Sequence, residues 1–284
     1  MAVVAPAGPF DRALFDAGLA MLAQRYQPRL LPDIGARDRY LAGDDARRQR
    51  ELNAALTDPE VKAVFTARGG YGSMRLLPGL PRALPRPLVG FSDITALHQV
   101  LQRDGLVSVH GPVLTQLGRQ SSPAVERLFR LLESTELAAP LSGITVVPGV
   151  AEGPLRGGNL SVLTRLLGTP YLPPLQGAIL LLEDVGERPY QLDRMWTHLA
   201  LAGVFTQVRG LALGSFTACE EKDADYTSVQ VLERLAAQVN LPCVRELSIG
   251  HDQVNLAVPL GARVRLDATA ATLHFLEPAV EAHR

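Results

Sequence analysis

Short apolar runs alternate with amphipathic segments along the first half of the chain. The apolar runs predict buried strands at residues 2–5, 61–66, 87–91 and 106–110. Apolar residues spaced by three and four positions, as in Phe15, Leu19 and Leu22, predict a helix that Asp11 can cap. Similar spacing predicts helices at 45–57, 94–103 and 124–134. Strands that alternate with helices are typical of a largely parallel sheet covered on both faces.

The second half repeats this alternation after a proline-containing stretch. Residues 137–155 predict a linker or a few irregular strands, and a glycine turn followed by a helix restarts the pattern at residue 156. Strands are predicted at 178–182, 211–215, 243–249, 263–267 and 272–276, with helices at 190–202 and 228–239. We therefore divide the chain into an N-terminal α/β domain at 1–136, a linker at 137–155 and a C-terminal domain at 156–284.

Composition limits the classes of protein that fit. The 284 residues are 47% hydrophobic and 20% charged, which is enough to bury a sizeable core. The net charge of -1 argues against partners such as nucleic acid or an anionic membrane. The two cysteines, Cys219 and Cys243, form no CxxC pair, which excludes a disulfide framework and a cysteine-based zinc site. The N-terminus lacks signal-peptide features and no apolar run could span a bilayer, so we expect a cytoplasmic protein.

The segment PLVGFSDITALH, at residues 87–98, holds the first candidate for chemistry. A strand that runs through Gly-x-Ser-Asp into a helix places Ser92 at a tight turn, where its Oγ is exposed beside the helix N-terminal amides. That is the position a nucleophilic serine requires. The hydrolase pattern G-x-S-x-G is only half matched, because Ile94 stands at the second glycine. Ser92 or Asp93 as a simple helix N-cap is the alternative.

A second candidate is the glycine-rich turn ARGGYG at residues 67–72. Three glycines after a strand allow the backbone amides to approach a ligand, as in an oxyanion hole or a phosphate nest. No GK[ST] follows, and Arg75 occupies the third glycine position of a dinucleotide fingerprint. These departures argue against a nucleotide-binding Rossmann protein. A merely structural tight turn stays open as the alternative.

A serine nucleophile needs a base, and six histidines are available. His251 follows the end of a predicted strand, where α/β sheets place ligand-binding residues, and is the best candidate. His110 also ends a strand and is the runner-up. The others are expected to be structural or to lie in the tail: His98, His198, His274 and His283.

Glu183 is the candidate acid, because it directly ends the apolar run AILLL. A carboxylate at the lip of a buried strand is costly unless it is paired, and a histidine would serve as its partner. A salt bridge to Arg188 or Arg194 is the alternative. Asp184 would point to the opposite face if the strand continues.

Taken together, these segments resemble the LD-carboxypeptidase family of serine peptidases, which includes the microcin C immunity peptidases. The resemblance runs over nearly the full chain in eight ordered segments: AVVAPAGP, YLAGDDARR, ARGGYGSMRLLP, GFSDITALH, HGP, RGGNLSVLTRLLGTPYLP, LLLEDVGERPYQLDRM and GHDQVNLAVPLG. It implies an N-terminal flavodoxin-like or Rossmann-like domain with a parallel sheet, a C-terminal mixed α/β domain, and a site in the cleft between them.

The resemblance also implies the roles of individual residues. Ser92, Glu183 and His251 correspond to a Ser-Glu-His triad, and the backbone amides of Gly70 and Asp93 correspond to the oxyanion hole. A substrate with a free carboxylate needs a cationic or amide-rich subsite. The candidates for that subsite, besides the arginines of other matching motifs, Arg75 and Arg156, are Arg68, Gly69 and Tyr71. Salt bridging is an equal alternative for each arginine.

The implied reaction is removal of the terminal D-alanine from murein tetrapeptides during peptidoglycan recycling. No metal or organic cofactor is implied, and a homodimer is possible. A microcin-type peptidase that cleaves aminoacyl or peptidyl nucleotides is the nearest alternative. The single tryptophan, Trp196, lies in a predicted helix rather than in a loop where it could stack on a base. A non-catalytic murein binder is disfavoured by the intact set of three triad residues.

Overall fold

We describe a computed structural model of the chain over residues 1–281. Its helices and strands in the first half are, in order, β1 (Ala2–Val4), α1 (Arg12–Ala23), α2 (Asp45–Thr57), β2 (Val64–Thr66), β3 (Leu88–Gly90), α3 (Thr95–Arg103), β4 (Ser108–His110), α4 (Leu114–Leu117) and α5 (Ser122–Glu133). Those of the second half are β5 (Leu141–Ser142), β6 (Ile144–Val147), β7 (Val150–Asn159), α6 (Leu160–Thr164), β8 (Ile179–Val185), α7 (Pro189–Leu201), β9 (Gly210–Thr217), α8 (Ser228–Val239), β10 (Cys243–Arg245), β11 (Val258–Leu260), β12 (Arg263–Asp267) and β13 (Thr272–Phe275).

The first sheet has five strands in the order β1-β2-β3-β4-β11, and its first four strands are parallel. A single parallel bridge joins Ala2 to Arg29 on the outer side of β1. If the segment at Arg29 is counted as a strand, the strand order is the flavodoxin-like one. In that order the chain adds strands first on one side of β1 and then on the other, so the topological switch point lies between β1 and β2. Ligands bind outside the carboxyl ends of strands at such a point. The loop after β1 and the glycine-rich turn after β2 both lie there.

Both faces of the first sheet are covered, as the alternating pattern predicted. One face packs its apolar side chains with those of α1, α4 and α5, including Phe15, Leu114 and Leu128. The other face packs against α2 and α3, including Leu52 and Leu97. The predicted combination of a parallel α/β sheet with a second mixed sheet is confirmed.

The second sheet has eight strands in the order β5-β13-β12-β7-β8-β9-β10-β6. Its central strands β7, β8 and β9 are parallel, and β12 and β13 pair antiparallel at one side. The two edge strands, β5 and β6, are consecutive in sequence and separated by Gly143 alone. The sheet therefore curves until its edges meet at Gly143, where a Cβ would lie 2.3 Å from the backbone oxygen of Arg245.

Three features of the second half differ from the sequence pattern or extend it. The stretch 137–155 holds β5, β6 and the first part of β7, all of which pair in the second sheet. The predicted glycine turn is wrong, because Gly157 and Gly158 lie inside β7 and pair with β8. Strand β11 completes the first sheet by pairing antiparallel with β4, although it comes from the second half. Domain boundaries at 136 and 156 stay a prediction.

Helix α3 joins the two sheets through a polar stripe. Thr95 Oγ1 accepts a hydrogen bond from the backbone N–H of Asn159 at 3.0 Å. One turn further along, the Gln99 amide donates to the backbone oxygen of Gly157 at 2.8 Å. Because α3 follows Ser92 and β7 pairs with the strand that carries Glu183, these bonds set the position of one candidate residue relative to the other.

The helices of residues 1–281 include none that is long and apolar enough to cross a membrane.

We predict that Gly158→Ala destabilises the protein much more than Gly168→Ala. Both glycines have positive φ, 134° and 76°, but a Cβ at Gly158 would lie 2.7 Å from Thr95 Oγ1, whereas the space around Gly168 is open. Overpacking adds about 1–3 kcal/mol to the backbone strain at Gly158. Urea unfolding of the two variants measures the difference, and equal losses of unfolding free energy would contradict the close packing of α3 on β7.

Candidate active site

Ser92 lies at a strained turn between β3 and a short 3-10 helix, Ser92–Ile94. Its φ of 62° is unusual for a residue with a side chain. Two glycines leave room for the turn. A Cβ at Gly90 would lie 2.3 Å from Thr66 Oγ1, and one at Gly69 would lie 2.8 Å from Ser92 Cβ. The glycine-rich turn after β2 therefore rests directly against Ser92, which agrees with a nucleophile elbow.

The carboxylate of Asp93 holds the glycine-rich turn in place. It accepts a hydrogen bond from the backbone N–H of Ser73 at 2.8 Å, while α3 begins without any side-chain cap. The alternative in which Ser92 or Asp93 caps the following helix is therefore wrong. Burial raises the pKa of Asp93, and the bond from Ser73 opposes that shift. No local pattern in the sequence indicates this link between two segments 20 positions apart.

Arg48 is a second anchor of the same turn. Its side chain is fully buried, and it donates to the backbone oxygens of Pro6 and, at 2.9 Å, Gly72. It also pairs with Asp45. Arg48 thus connects the loops that follow β1 and β2. The DDARR segment contributes to the family resemblance, but no local pattern in it indicates this role of Arg48.

Glu183 lies near the end of β8, the strand at the centre of the second sheet, and is fully buried. The pairing of β8 with β9 shifts register between Leu182 and Asp184, so a β-bulge stands opposite Glu183. Bulges beside active sites re-aim side chains. Glu183 Oε2 lies 2.7 Å from His251 Nδ1, whereas Arg188 pairs with Glu221 instead. The expectation of a histidine partner agrees with this geometry.

Asp184 points to the other face of the sheet. Its carboxylate accepts hydrogen bonds from the Asn159 amide at 2.9 Å and the Ser161 backbone N–H at 2.8 Å. It therefore supports the start of α6. Burial raises the pKa of Asp184 to about 6, against the effect of these donors.

Gly250 allows the neighbouring His251 to contact Glu183. Gly250 has a φ of 118°, and a Cβ there would lie 2.5 Å from Glu183 Oε2. The Gly250 N–H donates to Asn255 Oδ1 at 3.0 Å, which closes the loop. The ring of His251 packs against that of Phe91, with centroids 4.5 Å apart. Within residues 1–281, Ser92 Oγ has no hydrogen bond to His251. Hydrogen bonds between a nucleophile and its base often form only when substrate binds.

The two histidines that face Glu183 keep it ionised. Burial favours the protonated acid, but His110 and His251 outweigh burial and lower the pKa of Glu183 to about 2. A carboxylate that stays charged at neutral pH can hold a neighbouring imidazole in one tautomer and stabilise its protonated form. The pair therefore has the electrostatics of the acid and base of a triad.

The remaining histidines are structural or distant, apart from His110, which lies 3.9 Å from Glu183 Oε1. His98 is buried and bonded on both ring nitrogens, to Gly90 O and Ser108 Oγ. His198 is exposed on α7, and His274 contacts Thr272. His283 lies outside the described residues. Between residues 1 and 281, no three metal-binding side chains are grouped as a metal site would require.

Of the residues predicted to bind substrate, Gly69 is buried against Ser92, whereas Arg68 and Tyr71 are exposed. Arg68 is exposed, and one of its N–H groups donates to Pro9 O at 2.6 Å. Tyr71 is 49% exposed and lies edge-to-face with Tyr40, with ring centroids 5.7 Å apart. Arg75 makes a salt bridge with Asp45 at 2.6 Å. In Arg156, which is half-buried, Nε and Nη1 have no hydrogen-bond partner within the described part of the chain.

Two family models match the chain, the LD-carboxypeptidase N-terminal domain over residues 1–111 and the LD-carboxypeptidase C-terminal domain over residues 152–266. The murein tetrapeptide carboxypeptidase of Pseudomonas aeruginosa is 36% identical, with 94% of this chain and 92% of that protein covered. The chain therefore belongs to the LD-carboxypeptidase family.

Solved structures agree with this assignment. The muramoyltetrapeptide carboxypeptidase from Oxalobacter formigenes superposes with a TM-score of 0.88 at 30% identity, over 98% of this chain and 100% of that one. The Microcin C7 self immunity protein MccF, solved with aspartyl sulfamoyl adenosine, superposes with a TM-score of 0.89 at 22% identity, over 99% of this chain and 96% of that one. The second likeness shows the fold alone.

We predict that Asp93→Asn keeps the fold stable and Asp93→Leu does not. Asparagine retains an oxygen that can accept from the Ser73 N–H, whereas leucine leaves that buried donor unpaired, at a cost of about 1–3 kcal/mol. Urea unfolding of both variants tests this, with the wild-type protein as reference. A leucine variant as stable as the asparagine variant would show that the carboxylate does not anchor the turn.

Proposed function

We propose that this protein is a serine LD-carboxypeptidase that removes the terminal D-alanine from murein tetrapeptides. The observation that carries the proposal is the contact between the buried carboxylate of Glu183 and His251, 2.7 Å apart, with the His251 ring packed on Phe91, the residue before Ser92. The names of the relatives that share the fold and most of the sequence length support the choice of substrate.

In the proposed mechanism, His251 takes the proton of Ser92 as Oγ attacks the carbonyl carbon between the L-centre and D-alanine. Glu183 holds the proton on Nδ1 and stabilises the imidazolium. His251 then gives its Nε2 proton to the leaving amine, which releases D-alanine and leaves an acyl-enzyme. A water molecule, deprotonated by His251, hydrolyses the ester and regenerates Ser92.

We assign the oxyanion to the backbone amides of Gly70 and Asp93. The amide of Asp93 lies directly after the nucleophile at the first turn of a helix, where N–H groups have no intrahelical acceptor. Gly70 has a φ of 107° and follows Gly69, which rests against Ser92. Its N–H donates no hydrogen bond within residues 1–281. The two amides are therefore available to stabilise a developing negative charge beside Ser92.

We assign the free carboxylate of the substrate to Arg68, with Gly69 and Tyr71 as neighbouring contacts. Arg68 is exposed and, within the described residues, has no carboxylate partner, whereas Arg75 is already paired with Asp45. A guanidinium is well suited to bind a carboxylate with two hydrogen bonds. The implied cytoplasmic location and the homodimer stay predictions.

We predict that Ser92→Ala abolishes D-alanine release, with a loss of kcat on the order of 10⁵–10⁶-fold. Wild type and variant are incubated with a murein tetrapeptide ending in D-alanine, and release is followed by mass spectrometry. The same peptide ending in L-alanine is the control and should stay intact. Glu183→Gln should also lose most activity, because it no longer stabilises a protonated His251.

If the folded wild-type protein releases no D-alanine, the proposed substrate is wrong. Aminoacyl sulfamoyl nucleotides form the second arm of the experiment. Cleavage of these compounds by the wild type, but not by Ser92→Ala, would replace the murein assignment with a microcin-type activity. If the wild type cleaves neither the tetrapeptide nor the nucleotides, the proposed catalytic role of Ser92 is wrong for both substrate classes.

We predict that Arg68→Ala raises KM and changes kcat little. Loss of a hydrogen bond to a charged group costs about 1.5–3 kcal/mol, which corresponds to a rise of roughly tenfold to a hundredfold. Arg130→Ala is the matched control, because Arg130 is an exposed, ion-paired arginine on α5. Steady-state kinetics with the tetrapeptide separate the two constants. An unchanged KM in Arg68→Ala would assign the carboxylate to another residue.

A further inference from the structure

One oxygen of the Glu183 carboxylate is unused by the triad. Oε2 contacts His251, while Oε1 is buried and has no hydrogen-bond partner in the described residues. A buried carboxylate oxygen without a donor is costly, because it has lost its contacts with water. A second donor near Oε1 would remove this cost.

His110 is the side chain placed to supply it. It ends β4, is fully buried, and its Nε2 lies 3.9 Å from Glu183 Oε1. Both of its ring nitrogens lack hydrogen-bond partners within residues 1–281. A shortening by about 1 Å would form a normal hydrogen bond, and catalytic contacts commonly tighten when substrate binds.

An aromatic ring and two ionisable groups surround His110. Phe91 lies edge-to-face against it, with centroids 5.7 Å apart, so the same phenyl ring packs on both His110 and His251. Glu183 on β8 faces His110, with 3.9 Å between His110 Nε2 and Glu183 Oε1, and His98 on α3 lies with its ring centroid 6.4 Å away. The neighbouring strands β3 and β11 carry no ionisable side chain.

His98 is a neutral neighbour and does not compete for Glu183. Desolvation lowers the pKa of His98 to about 3, and its two nitrogens are already bonded to Gly90 O and Ser108 Oγ. Among the described residues that face His110, Glu183 is therefore the charged hydrogen-bond acceptor. Its Oε2 already contacts His251 Nδ1, whereas its Oε1 has no hydrogen-bond partner.

We propose that His110 is a positioning residue of the active site, which in its neutral form donates its Nε2–H to Glu183 Oε1. The carboxylate is then held from both sides by two imidazoles, and Oε2 is aimed at His251 Nδ1. This role rests on the proposed function, because it acts only through Glu183. His110, first considered as an alternative base, thus acts on the acid.

Loss of the His110 donor should affect the chemical step rather than substrate binding. With one donor instead of two, the Glu183 carboxylate is less firmly oriented toward His251 Nδ1 and stabilises the imidazolium less well. We therefore expect kcat to fall while KM stays unchanged.

The test compares His110→Phe, which keeps a ring beside Phe91 but removes the donor, with His110→Gln, which keeps a side-chain N–H. His198→Phe, at an exposed position on α7, is the control. kcat and KM for the murein tetrapeptide are measured near neutral pH. We expect His110→Phe to lose roughly 10–100-fold in kcat with KM unchanged. His110→Gln should recover most of the lost kcat. A folded His110→Phe with wild-type kcat would overturn the proposal.

A second measurement does not depend on activity or on the folding of the phenylalanine variant. Nitrogen-15 spectra of wild-type histidine side chains report the tautomer of His110, which we expect to be neutral with its proton on Nε2. The Nε2 proton signal should change in Glu183→Gln. A neutral Nδ1–H tautomer or a cationic ring at neutral pH would overturn the proposal. If the wild type cleaves no murein peptide, the proposed function fails while this spectrum still decides the contact.

Discussion

The carboxylate of Glu183 is fully removed from water, and the geometry of the site follows from the need to keep it charged. Isolated, such a group would take up a proton. Here His251 meets Oε2 at 2.7 Å, and His110 faces the other oxygen. The bulge opposite Glu183 and the missing side chain of Gly250 make room for that contact. A larger residue in this bulge, or a side chain at position 250, would separate Glu183 from His251.

The pair is useful only if a nucleophile stands beside it, and that residue comes from a different sheet. Ser92 follows β3 of the first sheet, whereas Glu183 lies on β8 of the second. Polar side chains of α3, Thr95 and Gln99, tie the first sheet to β7, the neighbour of β8. Strand β11 strengthens the junction, because it leaves the His251 loop and joins β4. The site is therefore part of the seam between the sheets.

Buried charges also hold the wall of the site that approaches Ser92. Arg48 bonds to the backbone of the loops after β1 and β2, and Asp93 bonds to Ser73 at the end of the glycine-rich turn. A turn with three glycines would be mobile if it were left to itself. Its anchors lie on α2 and beside the nucleophile, so the turn and the serine are held in one frame. The exposed side chains Arg68 and Tyr71 extend from this fixed turn toward solvent.

The amino-acid sequence alone specifies the elements whose stability is local. The helices at 45–57 and 228–239 have the predicted bounds, because caps and apolar spacing act within a few residues. It also ranked Ser92, Glu183 and His251 first, from strand ends and the cost of a buried charge. Contacts between distant segments are visible only in the folded molecule: β7 in place of a glycine turn, β11 in the first sheet, and the partners of Asp93 and Arg48. Strand pairing and buried polar contacts depend on residues far apart in the chain, so local patterns do not specify them. The same reason explains why His110 could be noticed in the sequence as an end-of-strand histidine, while its position at the second oxygen of Glu183 emerged only from the fold.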